Sequence, residues 1–393
     1  YDKAIEYHKK ALELSPDNYL FYTILGNVYY SKKEYDKAIE YHKKALELSP
    51  DNEFSYNSLI GTIYYNKKEY NKAIEYLDKD IFSGKNLLEN YNQLGCIYYE
   101  LKEYEKSFQY LKKALSININ YPPIYLNLGN YYTIKSIYNG AIKCYIKFIN
   151  SNKEEFGEEF IKKYDSMAFN SLSYIYFTKE EWELSIENCR KALELDPNNS
   201  TIYFLLGNAY SELKEYGKSI ENCRKALELD PNNSTIYFLL GNAYSELKEY
   251  GKAIENYDKA IELDPNNSSI YFLLGNGYSE LKEYEKAIEK YNKAIELDPN
   301  DISAYCYLGL SYSAIREYEK ALDYYNKALK ITDSDPNIYY NISCIYSLIN
   351  KKDEYIKYLI EAINLDSIYK EKAKNDTDFD NIKNTPEFKK LVE

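Results

Sequence analysis

Small and apolar residues recur along this chain three and four places apart, pause, and recur again. In the stretch IYFLLGNAYSEL, Tyr203, Leu206, Gly207 and Tyr210 fall at i, i+3, i+4 and i+7. That spacing places them on one face of a helix. In YGKSIENCRKALEL, Ile220, Cys223, Ala226 and Leu227 fall at i, i+3, i+6 and i+7, which predicts a second amphipathic helix. Asp230-Pro231-Asn232-Asn233 then ends it. Proline cannot continue a helix, and the Asn and Ser after it supply N-caps for the next one.

This two-helix unit repeats through nearly the whole chain. Residues 185–218 recur letter for letter at 219–252, a period of 34. Pro197, Pro231, Pro265 and Pro299 keep that period, as do Gly207, Gly241, Gly275 and Gly309. Gly26, Gly61, Gly95 and Gly129 sit 34 or 35 apart, and Ser173 and Ser343 take the same place in two divergent units. A fixed period of this length means stacked supersecondary units rather than one globular core. The unit boundaries fall at 19–53, 54–87, 88–121, 122–155, 166–199, 200–233, 234–267, 268–301, 302–335 and 336–369.

In the unit at 234–267, Tyr237, Leu240, Gly241, Tyr244, Tyr250, Ala253, Tyr257, Ala260 and Pro265 match the signature W/Y-x2-L-G-x2-Y…A-x3-F/Y-x2-A…P in type and spacing. With this pattern in tandem, the chain resembles the tetratricopeptide repeat (TPR) family over about residues 1–369. The resemblance implies an all-α fold, a right-handed α-solenoid of stacked helix-turn-helix repeats with a C-terminal capping helix. Gly241 and Ala253 are expected where the two helices of a unit cross, with Tyr244 and Tyr250 filling the space around the crossing. The 50 tyrosines are then mostly structural.

The expected organisation is 1–18 as the second helix of a truncated repeat, and 19–155 as an array of about four repeats. An insertion or helix extension follows at 156–165, then about six repeats at 166–369 and a capping segment at 370–393. The segment YDKAIEYHKKALELSPDN at 1–18 recurs at 35–52, so the chain starts mid-repeat and without Met and reads as a piece of something longer. The insertion FGEEFIKKYD either lengthens a helix or breaks the array. A longer helix is favoured, since it holds no proline and one glycine. Asp80 replaces the usual Ala of its helix, which predicts looser packing there. Tyr355 takes the small position of the last unit. In the tail, Thr385 is an expected N-cap with Pro386 at N1, and Phe379, Ile382, Phe388 and Leu391 would cover the last exposed face.

Composition narrows the function. The net charge of −12 argues against nucleic acid and against anionic membranes. Residues 200–301 hold eighteen acidic and eleven basic residues, a balance of −7, which favours a neutral or basic protein or peptide partner. No apolar run reaches the roughly 18 residues a membrane-spanning helix needs. No signal peptide is visible, so a cytoplasmic location is expected, with secretion left open by a missing native N-terminus. Cys96, Cys144, Cys189, Cys223, Cys306 and Cys344 form no C-x-x-C pair and read as buried reduced thiols.

A search for chemistry finds little. His8 and His42 are the two histidines and occupy one repeat position. No phosphate loop, dinucleotide loop or G-x-S-x-G is present. The carboxylates alternate with lysines as solvated i,i+4 pairs. No catalytic residue, cofactor or metal is expected.

The resemblance does imply a binding face, lined by the second, fifth, ninth, twelfth and thirteenth places of each first helix. These are Thr201, Phe204, Asn208, Ser211 and Glu212 in one unit, and Thr235, Phe238, Asn242, Ser245 and Glu246 in the next. Ser269, Phe272, Asn276, Ser279 and Glu280 follow, with Asn27 and Asn130 as matching asparagines earlier in the chain. A carboxamide carries both a donor and an acceptor, so spaced asparagines could read a peptide main chain. Asparagines that face water or local backbone are the plain alternative. The glutamates at the thirteenth place make a clamp for acidic tails unfit. The leading expectation is a non-catalytic scaffold that binds an extended peptide or partner protein in a concave groove. The alternative is the substrate-recruiting arm of an enzyme, such as a glycosyltransferase, whose catalytic domain lies outside this chain. Near-identical units also allow weak self-association through register slips or swaps.

Overall fold

The structure is a computed structural model that describes residues 1–50 and 56–393. The unit boundary expected at 53/54, and the end of the turn after Pro50, lie outside the described residues. Among the described residues every regular element is helical, and the fold is an α-solenoid. The chain divides into two compact units, Tyr1–Pro197 and Asn198–Glu393.

Within each unit, helices alternate as the apolar period requires. In the second unit, Ser200–Glu212 pairs with Tyr216–Leu229, Ser234–Glu246 with Tyr250–Leu263, and Ser268–Glu280 with Tyr284–Leu297. Asn199 and Asn233 cap the helices after them through their side chains. The place of closest approach between paired helices decides the small residue. A Cβ built on Gly241 would lie 2.5 Å from the Tyr257 ring, and one on Gly26 would lie 2.6 Å from the His42 ring. Any side chain there drives the helices apart.

One turn device was not foreseen. Lys33, Lys68, Lys102, Lys214, Lys248, Lys282 and Arg316 all adopt positive φ at the turn between the two helices of a repeat. At Lys248 the turn closes with Lys248 N–H bonded to Ser245 O at 2.8 Å and Glu249 N–H to Tyr244 O at 2.9 Å. The helix thus ends on a left-handed residue, the place glycine usually takes.

In the first unit, Asp80 sits in a polar cluster of its own. It is buried and accepts from Ser58 N–H at 2.8 Å, the Ser58 hydroxyl at 2.7 Å and the Asn57 amide at 2.9 Å. Asn90, fully buried, lies against the same serine. A hydrogen-bonded cluster replaces the alanine contact, because a buried carboxylate is tolerated only where donors surround it. Further along, helix Glu158–Thr178 runs 21 residues and takes in most of the insertion, after a turn at Gly157 with φ +78°.

At the C-terminus, Thr385 Oγ1 accepts from Phe388 N–H at 3.3 Å and Pro386 opens helix Pro386–Val392. Phe379, Ile382, Phe388 and Val392 are buried against Tyr340, Tyr355 and Leu359, while Leu391 is partly covered.

Candidate functional site

The first helices of the second unit bury one side and leave another open. Ile202, Leu205, Leu206 and Ala209 go into the core of Ser200–Glu212, and Ile236, Leu239, Leu240 and Ala243 do so in Ser234–Glu246. Thr201, Glu212, Thr235, Glu246, Ser269 and Glu280 are exposed, whereas Phe204, Asn208, Phe238, Asn242, Phe272 and Asn276 are half-buried. The strip expected from the sequence therefore lies on one side of each helix. Its phenylalanines are already partly used. Phe204 and Phe238 pack on the core, and Phe272 meets Tyr307 edge-on with ring centroids 5.3 Å apart.

The asparagines are held more tightly than the sequence implies. The Tyr257 hydroxyl donates to Asn242 Oδ1 at 2.8 Å, and the Tyr291 hydroxyl to Asn276 Oδ1 at 2.7 Å. In the first unit, Tyr145 does the same to Asn130 at 2.7 Å. Each pair links the first helix of a repeat to its second helix, fifteen residues on. This narrows the donor-and-acceptor reading. The amide oxygen turns inward to a tyrosine, and the NH2 group has no hydrogen-bond partner among the described residues. Asn208 differs, because Cys223 stands where those units have tyrosine. Asn27 also differs. It is exposed, and its unit carries His42 at the tyrosine place.

The glutamates too have neighbours. The Tyr216 hydroxyl donates to Glu246 Oε2 at 3.1 Å. Desolvation, with the Glu246 carboxylate beside it, pushes the Tyr216 phenol above its ordinary value, and Glu280 acts likewise on Tyr250. Between these helices opens a cleft of about 330 Å³ lined by Ser245, Glu246, Tyr250, Asn276, Glu280 and Tyr307, among others. Its lining offers an amide donor, two carboxylates, the Lys248 ammonium and two phenol rings.

Cys189, Cys223, Cys344 and His42 are buried, and Cys96, Cys144, Cys306 and His8 are half-buried. Burial pushes the Cys96, Cys223 and Cys306 thiols up to about 12 and those of Cys144 and Cys189 to about 11, so the nucleophilic thiolate is disfavoured. Burial also pushes His42 down to about 4. One group among the described residues, Cys344 with Asp376 and Asp378, brings ligand-type atoms within 4.8 Å of one another. Its partners explain it without an ion. Asp376 accepts the Tyr340 hydroxyl at 2.6 Å and the Asp378 N–H at 3.0 Å, which seats the C-terminal segment. No described helix is long and apolar enough to cross a membrane.

Comparisons with known proteins bear on the repeat architecture. A family model for the TPR repeat matches residues 174–214, 207–248, 241–281 and 275–315. Two models for the tetratricopeptide repeat match 19–52 and 302–332, and 54–79, 88–120 and 336–369. No curated protein matches the chain. Among solved structures, the C-terminal part of a TPR repeat-containing protein from Cytophaga hutchinsonii is 19% identical with a TM-score of 0.55, covering 64% of this chain and 99% of that one. A MamA protein is 30% identical with a TM-score of 0.42, covering 43% and 92%. YrrB, described as a TPR protein with an unusual peptide-binding site, is 24% identical with a TM-score of 0.43, covering 47% and 97%.

Proposed function

The chain belongs to the tetratricopeptide repeat family, and from that premise we propose that it is a non-catalytic interaction scaffold. It takes an extended partner segment along the first-helix face of its second unit. The observation that carries this reading is the pair of tyrosine–asparagine hydrogen bonds at Asn242 and Asn276. Each fixes an amide with its oxygen satisfied and its NH2 free, so successive repeats offer donors in one orientation. Those donors suit backbone carbonyls, which every peptide presents at regular intervals. Pre-orientation matters, since a side chain already held in place loses less entropy on binding. The exposed Glu212, Glu246 and Glu280 beside the strip favour a neutral or basic segment.

A comparison of the wild-type chain with an Asn208→Ala, Asn242→Ala, Asn276→Ala variant tests this reading. Both are used to capture partners from source-cell lysate, after circular dichroism shows equal helicity. A partner held by the wild type and lost by the variant is the expected result. Equal capture by both would sink the asparagine strip.

A further inference from the structure

The inserted residues do more than lengthen a helix. Helix Glu158–Thr178 runs 21 residues where the other first helices run 11 to 14. Its added turns are pinned from below. Lys153 is buried, donates to Phe148 O and Ile149 O at 3.0 Å each, and pairs with Asp165. Phe156, in the turn before the helix, stacks on Phe160, which packs at a tilt on Tyr164, with ring centroids 4.8 and 4.3 Å apart. The column delivers Tyr164 to a cleft of about 280 Å³ in the first unit, which Tyr65, Tyr99 and Met167 also line.

The lining of this cleft has a specific chemistry. Three phenol rings and a thioether line it together with Glu100, Lys163 and the amides of Asn127 and Asn130, among others. Burial holds the Tyr65 phenol above its ordinary value and lifts that of Tyr99 to about 12, so both rings are neutral. The hydroxyls of Tyr65, Tyr99 and Tyr164 have no hydrogen-bond partner among the described residues, and the exposed Glu100 carboxylate has no ion pair among them. Lys163 Nζ lies 5.2 Å from the Tyr164 ring centroid, so this wall already carries one ammonium on its face.

We propose that this cleft receives one basic side chain, Lys or Arg, of a bound polypeptide segment. The tyrosine faces attract a cation through their quadrupole, Met167 covers its aliphatic stem, and Glu100 takes its charged head. An anionic guest would find Lys163 as its one cationic partner, already held over the Tyr164 ring, and would face the Glu100 carboxylate and three electron-rich rings. An apolar guest would desolvate Glu100 without pairing it. Lys163 competes for the same rings and sets the affinity low until a guest displaces it. The site rests on the reading of the first-helix face as a peptide site, since Asn130 of that face also lines the cleft. Its side chains belong to the first unit, so it and the asparagine strip of the second unit can fail separately.

Met167 is the only methionine in the sequence, so methyl-labelled methionine gives one NMR signal from inside the cleft. The probe is a blocked Gly/Ser peptide with a single arginine, titrated into the full chain. The control carries citrulline, which keeps the shape and loses the charge. The arginine peptide is expected to shift the Met167 methyl signal saturably, and the citrulline peptide is not. Glu100→Gln should weaken binding about tenfold, as expected for losing a charge-assisted contact. Lys163→Gln should strengthen it, and Tyr164→Ala should abolish it. Glu100 and Lys163 are exposed, so neither change threatens the fold. Equal shifts from arginine and citrulline, no shift with either, or the reverse order of the two charge variants would overturn the proposal.

Discussion

Tyr257 reaches across the two helices of its repeat and donates its hydroxyl to Asn242 Oδ1 at 2.8 Å. The same ring lies 2.5 Å from where a Gly241 Cβ would stand. One tyrosine thus sets both the helix spacing and the direction of the amide on the exposed strip, so packing and recognition are coupled. Replacing Tyr257 and Tyr291 by phenylalanine keeps the rings and removes the hydrogen bonds. Each change should cost about 1 kcal/mol of stability. The double variant should also weaken capture of the partner, although both hydroxyls are engaged by the asparagines. Unchanged capture by a folded Tyr257→Phe, Tyr291→Phe protein would show that the amide orientation is not used.

The near-identical repeats supply an internal control for glycine. A Cβ on Gly241 meets the buried Tyr257 ring, with three ring atoms within 3.1 Å, whereas one on Gly207 meets only the Cys223 sulfur at 2.9 Å and backbone beyond 3.2 Å. A ring held by a hydrogen bond has nowhere to move, and a thiol can rotate away. Gly241→Ala should therefore cost about 2 kcal/mol, near the middle of the range for overpacking, and Gly207→Ala distinctly less. Hydrogen exchange resolved by repeat is the right measurement, because arrays do not unfold as one cooperative unit. Equal loss of protection in the two variants would refute the argument.

Much of this was legible in the sequence, and the rest was hidden for definite reasons. The apolar period located helix Ser200–Glu212, and a Thr-Pro pair located the cap at Thr385, since both signals are local. Asn242 and Tyr257 each fit the repeat pattern, but nothing in the pattern says which polar atom faces which ring. Lys248 carries no turn signal of its own, so its positive φ was invisible. Asp80 takes its hydrogen bonds from Asn57 and Ser58, more than twenty residues away, so they carry no local signal. Tyr65 and Tyr164 are 99 positions apart and line one cleft only because an insertion lengthens one helix.

The left-handed turns can be relieved. A lysine at positive φ is strained by its Cβ, and glycine is not, though glycine gives back part of the gain as chain entropy. Lys248→Gly should raise the stability of its repeat by up to about 1 kcal/mol. Repeat-resolved exchange that shows faster opening at 234–267 would contradict this.

His42 makes part of the first unit sensitive to acid. Its ring is buried under Gly26, its Nδ1 has no partner, and burial alone lowers its pKa from 6.5 to about 4. Above pH 6.5 the ring is neutral in folded and unfolded chains alike, so it adds no pH dependence. Between 6.5 and about 4 only the unfolded chain takes the proton. Stability therefore falls as pH falls through that window, by roughly 3 kcal/mol in all, and levels off once the folded ring is protonated too. The neighbouring repeats carry Leu77 and Leu111 at this place, both fully buried, so His42→Leu is a natural replacement. In that variant the acid-induced loss of exchange protection across Tyr19–Leu48 should shrink by about the same roughly 3 kcal/mol. An identical pH profile in wild type and variant would show that other groups, and not this ring, set the acid response.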